Sequence, residues 1–301
     1  MTTENRPLAV GLGEVLWDVF PDGKRLGGAP ANFAWHAAQQ GCRACVVSAV
    51  GDDALGREIE SALAGRNLPA VLPRLLQPTG TVRIALDESG SATYRFAENC
   101  AWDNLPFSPE TERVARSADA VCFGTLAQRG ARSRETIERF LDRVPAGALR
   151  VFDVNLRLNF FTDEILRASL ARCSILKLNE DEAPVVSALL GADARCSRET
   201  LFAALFENFP TLEIVVETLG KAGSAVATRG GVRSEVPADP RVRVVDTVGA
   251  GDSFTACFVA CLLFGKTPEE AHRRAAATAD FVCSRSGAMP EIPRELRCLA
   301  D

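Results

Sequence analysis

The chain has 301 residues, a hydrophobic share of 47% and a net charge of −5 from 34 basic and 39 acidic side chains. Length and composition fit one large α/β domain, or one with a small appendage, with ample material for a core. The well-mixed charge argues against nucleic acid or an anionic membrane as partner, and no apolar run approaches the roughly 18 residues that a membrane span needs. Residues Met1–Pro7 lack the apolar stretch of a secretory leader, so a soluble cytoplasmic protein is expected. The ten cysteines sit mostly in apolar settings, where free thiols pack as small hydrophobes. Cys42 and Cys45 form a C-x-x-C with no second pair or histidine cluster to complete a zinc site.

Residues 8–16 are predicted as a first strand, with Asp18 at its end, where a carboxylate can accept hydrogen bonds from hydroxyls. The nearby Pro21-Asp22-Gly23 also suits an ordinary turn. Gly11-x-Gly13 lacks the third glycine and the helix start of a dinucleotide fingerprint. Next comes Gly27-Gly28-Ala-Pro30-Ala-Asn32, leading into an Ala-rich helix with Pro30 in its first turn and Gly41 as its stop. The glycines let backbone touch a ligand, and Asn32 offers both a donor and an acceptor. His36 reads as packing and His272 falls on the polar face of a later helix, so a histidine-based triad has little material. Ala44–Val50 is read as a second strand, and Gly51–Gly56 opens another helix. Thr81–Leu86 and Ser91–Phe96 alternate around Asp87–Gly90, a hairpin that interrupts the βα rhythm.

Strands are then expected over 118–123, 150–154, 174–178 and 212–217, with a helix near 131–143 and another after Glu182. Arg157 lies beyond the second of these runs, and its planar fork suits anions. Asn179 and Glu182 fall at a helix start, where acidic and amide groups suit the dipole. Thr218-Leu-Gly220-Lys-Ala-Gly223 places small residues at a strand end, and a hairpin over 225–236 follows. Val242–Val245 reads as a buried strand. It turns through Asp246–Gly251 into a helix in which Phe254, Phe258 and Leu262 recur, with Gly265 as the stop. The free N–H groups at that helix start make an anion site. Asp252 would repel the anion, and makes sense there if it takes the proton of a hydroxyl attacking phosphorus. Its plainer reading is a helix cap.

The string Asp246-Thr-Val-Gly-Ala-Gly-Asp-Ser-Phe254 resembles the C-terminal signature of the ribokinase or PfkB family of carbohydrate kinases. Gly-Gly-Ala-Pro-Ala-Asn resembles the family's N-terminal motif in the form associated with fructokinases. Similar motifs run in family order from Asp18 to Gly287. The resemblance implies a three-layer α/β/α sandwich with a mainly parallel sheet, formed by one domain over 1–301, and a small β lid from residues near 14–26 and 80–100. It implies ATP-dependent phosphorylation of a sugar hydroxyl, with Asp252 as base and Gly249, Ala250 and Gly251 as anion hole. On the sugar side it points to Asp18, Gly27, Gly28, Asn32, Gln128 and Arg157. ATP is expected along Asn179, Thr218, Gly220, Gly223, Gly249 and Gly251. Mg²⁺ is expected near Asn179 and Glu182 through water, and K⁺ near Asp246 and the Val248 carbonyl, beside the Arg285–Pro290 loop. A homodimer through the lid is implied as well. Fructose is the first acceptor, with ribose, a nucleoside or 2-keto-3-deoxygluconate as others on the same scaffold. Lys24, Arg25 and Arg95 leave a phosphorylated sugar open. A non-catalytic sugar-binding scaffold is the reading from another class. The absence of G-x-x-x-x-G-K-[ST] excludes a P-loop kinase.

Overall fold

A computed structural model describes residues 5–86, 92–194 and 196–299. In the first third of the chain lie β1 (Leu8–Leu12), β2 (Leu16–Phe20), β3 (Gly23–Gly27), α1 (Ala29–Gln39), β4 (Arg43–Val47), β5 (Val50–Gly51) and α2 (Ala54–Ala64). Then come β6 (Ala70–Val71), β7 (Arg74–Leu75), β8 (Thr81–Leu86), β9 (Ala92–Phe96), α3 (Pro109–Ser117), β10 (Ala120–Phe123) and α4 (Ala131–Leu141). The remainder forms β11 (Leu149–Asp153), α5 (Asp163–Leu170), β12 (Ile175–Asn179), α6 (Ala183–Leu189), α7 (Arg198–Asn208) and β13 (Ile214–Thr218). It ends with β14 (Ser224–Thr228), β15 (Arg233–Val236), α8 (Ala250–Leu263) and α9 (Pro268–Cys283).

Nine strands form one sheet in the order β15-β14-β13-β12-β11-β10-β1-β4-β6. It is parallel from β6 to β13, and the hairpin strands β14 and β15 run antiparallel at one end. Successive residues of β1 serve opposite faces, as the twofold period of a strand requires. Leu8, Val10 and Leu12 pack into a core with α3 to α7, and Ala9 packs into one with α1, α8 and α9. A third cluster packs Ala31 and Ala34 of α1 with Ile59 and Leu63 of α2 against Ala44 and Val46 of β4. The result is three layers, helix on sheet on helix.

A separate four-stranded sheet has the order β3-β2-β8-β9. Here the expected first strand over 8–16 is corrected. Gly13, at φ +146°, ends β1, and Val15 and Leu16 lead into the small sheet instead. Asp18 therefore lies inside β2, opposite Arg25 of β3, and not at the end of a strand of the large sheet. The β8–β9 hairpin forms as expected, while its Asp87–Gly90 link lies outside the described residues.

Two further expectations are corrected. Val242–Val245 is not a buried strand: Val244 and Val245 are exposed, and Val245 N–H donates to the Cys283 carbonyl at the end of α9. His272 is not on a polar face. It is buried, with Nε2 2.8 Å from Ser224 Oγ and Nδ1 2.8 Å from Ser234 Oγ, pinning α9 to the β14–β15 hairpin.

Candidate active site

The chain leaves β1 for β4 on one side, and β10 lies on the other. Ligands of open α/β sheets bind at the carboxyl ends of strands beside such a switch point. A small cavity lies there, and its lining includes Glu14 after β1, Phe123 at the end of β10 and Gly124 after it, Asp153 at the end of β11, and Asp252 and Thr255 of α8.

Two helices aim their starts at this region, and both begin on glycine. Five other helices are capped by a side-chain oxygen, from Asp53, Ser108, Thr162, Ser197 and Thr267, while α4 also starts on a glycine, Gly130, away from this region. The N-caps of α1 and α8 are Gly28 and Gly249, which offer no side chain. Their first N–H groups are thus free of a side-chain cap. Both glycines are required by their surroundings. At Gly28, φ +108°, a Cβ would lie 2.5 Å from the Glu14 carbonyl oxygen. At Gly249, φ +79°, it would lie 2.5 Å from that of Ala288.

Asp252 stands in the first turn of α8, and Asn32 of α1 donates its amide to Asp252 Oδ2 at 2.7 Å. Burial pushes the Asp252 carboxyl up to about 6, the charge of Asp153 adds to the rise, and the Asn32 hydrogen bond, Lys177 and Arg157 oppose it. Asn32 Oδ1 and Glu14 Oε2 are buried without a protein partner. Such spare acceptors are what a polyhydroxylated ligand would satisfy. Burial also lifts Glu14 to about 7 and Asp18 to about 6, and Arg157 lowers both. Arg157, itself exposed, is thus the cation felt by Glu14, Asp18 and Asp252 alike. Gly27 admits the Asp18 carboxylate: a Cβ there would lie 2.2 Å from Oδ2.

Glu14 and Lys177 were not predicted as site residues. Lys177 and Asp153 face each other in register on β12 and β11, and Nζ meets Oδ1 at 3.1 Å. Both are buried. A Cβ on Gly251 would come within 3.0 Å of the same Nζ, so the ammonium lies directly under the glycine turn. Burial alone would depress this lysine, and the carboxylates of Asp153, Glu182 and Asp252 more than compensate and keep it charged. A lysine inside the apolar run Ile175-Leu-Lys-Leu-Asn179 is the signal that would have found it.

Gln128 is not brought into this group. Its amide nitrogen donates to the Gly124 carbonyl at 2.9 Å and to Ser169 Oγ at 3.0 Å, which places it behind Gly124. Asn179 and Glu182 cap α6 reciprocally: Glu182 Oε2 accepts from Asn179 N–H, and Asn179 Oδ1 accepts from Glu182 N–H. Glu182 Oε1 accepts from Leu156 N–H, tying α6 to the loop after β11. Thr218 sits opposite Asn179 in register, and Gly220 and Gly223, both at positive φ, turn β13 into β14 beside them. Asp246 binds Val248 N–H through Oδ1 and Gly287 N–H through Oδ2, each at 3.0 Å. This joins the glycine turn to the 285–290 loop, and His36 Nε2–H donates to Ala288 O at 2.8 Å beside it. Among the described residues no carboxylate cluster forms a ready metal cage. Mg²⁺ dehydrates reluctantly and is commonly held by one or two protein groups, waters and substrate phosphates, so it needs no such cage.

The model of the pfkB family carbohydrate kinases matches residues 11–295. The chain belongs to that family. This carbohydrate kinase is 35% identical over 271 residues to the fructokinase of Klebsiella pneumoniae, covering 86% of this chain and 85% of that one. It is 30% identical to the ribokinase of Arabidopsis thaliana, over 89% of this chain and 69% of the relative. Among solved structures, the fructokinase of Xylella fastidiosa with bound ATP superposes with a TM-score of 0.81 at 21% identity, over 95% of each chain. At that identity the likeness concerns the fold, and the kinase shares its ribokinase-like arrangement of large and small sheets.

Proposed function

We propose that this kinase transfers the γ-phosphoryl group of ATP to a hydroxyl of fructose, with Asp252 as general base. The observation that carries this is the Asn32–Asp252 hydrogen bond at the meeting of two glycine-started helices. It sets a carboxylate of raised pKa against N–H groups suited to an anion, and that is the pairing phosphoryl transfer to a hydroxyl needs. Asp252 takes the hydroxyl proton as the oxygen attacks the γ-phosphorus. The N–H groups of the Gly249-Ala250-Gly251 turn, with Lys177 below, meet the charge on the transferred group. Asp18, Gly27, Gly28, Asn32 and Arg157 hold the sugar. Glu14 Oε2 is a further acceptor for a hydroxyl.

ATP lies along Thr218, Gly220, Gly223 and the glycine turn, on the other side of Asp252 from the small sheet. Asn179 and Glu182 would hold Mg²⁺ through its waters, and the ion when bound would neutralise β- and γ-phosphate charge. Asp246 and the Val248 carbonyl are assigned to K⁺. The small sheet acts as a lid that keeps water from becoming the acceptor. It is also the assigned homodimer surface, since β9 presents Thr93, Tyr94 and Arg95 to solvent. No helix among the described residues is long and apolar enough to cross a membrane. A cytoplasmic location is part of the proposal.

Fructose is supported by the named activity of the Klebsiella pneumoniae relative and by Gly27-Gly28-Ala-Pro-Ala-Asn32. The test is ADP release with ATP and Mg²⁺ against fructose, ribose, nucleosides and 2-keto-3-deoxygluconate, with and without K⁺. Fructose-dependent release supports the reading. Release with another acceptor keeps the mechanism and replaces the substrate. Sugar binding without release under any condition would favour the scaffold.

A further inference from the structure

Outside the carboxylate cluster, three sulfurs converge. Cys257 and Cys261 lie one turn apart on the buried face of α8, and Cys298 reaches them from the strap, residues 284–299, that follows α9. All three Sγ atoms lie within 4.8 Å of one another. Cys298 Sγ is 4.0 Å from Cys257 Sγ and 2.8 Å from Cys261 Sγ. Cys298 alone of the three is partly exposed. We propose that Cys298 and Cys261 are a redox-active dithiol, which hydroperoxides oxidise to a disulfide that fastens the strap to α8.

The geometry prefers a disulfide to a metal. Thiolates bound at about 2.3 Å around a tetrahedral ion stand roughly 3.7 Å apart, well beyond the Cys261–Cys298 separation. A disulfide needs about 2.05 Å, so this pair is already near bonding distance. The strap holds Cys298 in place through its backbone. Cys298 N–H donates to Gln40 Oε1 at 2.8 Å, Ile292 N–H to Gln39 Oε1 at 2.6 Å, and Arg274 donates to the Arg297 carbonyl at 2.6 Å. The chemistry of the group agrees. Hydrogen bonds from the Cys257 and Cys261 thiols, and then the Arg274 guanidinium, hold the Cys298 thiol well below the usual range. The exposed member is therefore the thiolate, which is the nucleophilic form.

The step balances. The Cys298 thiolate attacks one oxygen of the peroxide, the O–O bond breaks, and a sulfenic acid and an alcohol or water result after protonation. The Cys261 sulfur then attacks the sulfenic sulfur. The S–S bond forms, the S–O bond breaks, and the Cys261 proton leaves with the hydroxide as water. The two sulfurs lose two electrons and the peroxide gains them. A thiol reductant reverses the bond by exchange. The strap that carries Cys298 also supplies, nearer its start, the Gly287 N–H to Asp246 and the Ala288 carbonyl beside Gly249. The disulfide would thus fix the far end of the segment that seats the glycine turn.

The experiment treats fully reduced protein with hydrogen peroxide, blocks remaining thiols under denaturing conditions, and maps the peptides by mass spectrometry. The expected product has lost two hydrogens, carries a Cys261–Cys298 cross-linked peptide, and is restored by dithiothreitol. Cys298→Ser and Cys261→Ser should each lack the cross-link, and Cys42→Ser should retain it. A link between another pair, stepwise oxygen addition with no link, or purified protein holding stoichiometric metal on these thiols would overturn the proposal.

Discussion

The amide of Asn32, on α1, donates to Oδ2 of Asp252, on α8, at 2.7 Å, across 220 positions of sequence. The bond stabilises the charged carboxylate and turns one oxygen toward α1. With Asp252 lifted to about 6, the base is ionised at neutral pH and lost as pH falls. The acid limb of kcat/KM is therefore expected near pH 6. Asn32→Ala removes a bond to the charged form, so the limb should move to higher pH. An unmoved limb would show that another group titrates there.

Asp252→Asn keeps the size of the side chain and removes the base. It is expected to fold with a near-normal melting profile and to lose roughly 10²-fold or more in kcat, the scale of a positioned general base. Turnover within a few-fold of the parent would take Asp252 out of the mechanism.

Lys177→Met leaves Asp153 buried beside Asp252 without its counter-charge. Breaking a buried pair from one side costs about 3–5 kcal/mol. Adding Asp153→Asn should recover much of that loss, and denaturant unfolding of both variants reads it. If the double variant is as unstable as the single one, the pair is not the source. The single variant should also move the acid limb upward, because Lys177 favours the ionised base.

Glu14 makes a stability prediction with a definite sign. Its carboxyl titrates near 7 when folded against a reference of 4.5. Between those values the folded state holds a proton that the unfolded chain has released, so stability falls as pH rises through the window. Glu14→Gln should remove Glu14's share of that fall and leave the share of Asp18 and Asp252, whose raised carboxyls act in the same direction. It should be more stable than the parent at pH 8, by up to about 3 kcal/mol, and close to it at pH 4. Parallel stability curves for the two proteins would contradict this.

Gly249→Ala forces a side chain into a left-handed backbone position and against the Ala288 carbonyl. The backbone term alone is about 1–2 kcal/mol. Since the turn also carries the N–H groups offered to phosphate, kcat should drop together with the melting temperature. Gly231→Ala, at φ +97° with open space around it, serves as the control for strain without collision.

The glycine turns, the β8–β9 hairpin and most of the large sheet were legible because each is a local pattern, whereas β2 and β3 were reached only through the family resemblance. Gly249 and Gly28 announce themselves by composition, and β10 to β13 by apolar runs ending in polar residues. The Lys177–Asp153 pair was not legible, because it exists only once β11 and β12 lie in register. Val242–Val245 misled for the opposite reason. Its β-branched run is a strand pattern, but β15 already ends the sheet and the segment lies along α9 instead. Gln128 was expected on the sugar side from the resemblance, but its amide nitrogen is taken up by Gly124 and Ser169. The thiol group was invisible because Cys257 and Cys298 lie 41 residues apart.

The seat of the glycine turn has a consequence for how the polypeptide is made. Asp252 and Asn32 can meet once α8 has been synthesised, but Gly287, which holds Asp246, and Ala288, which underlies Gly249, come only after α9. A nascent chain halted at Cys283 would own the carboxylate and its amide partner and lack the support beneath the turn. Competence therefore arrives only once residues 284–290 have left the ribosome, and translation products that stop before them should be silent toward ATP.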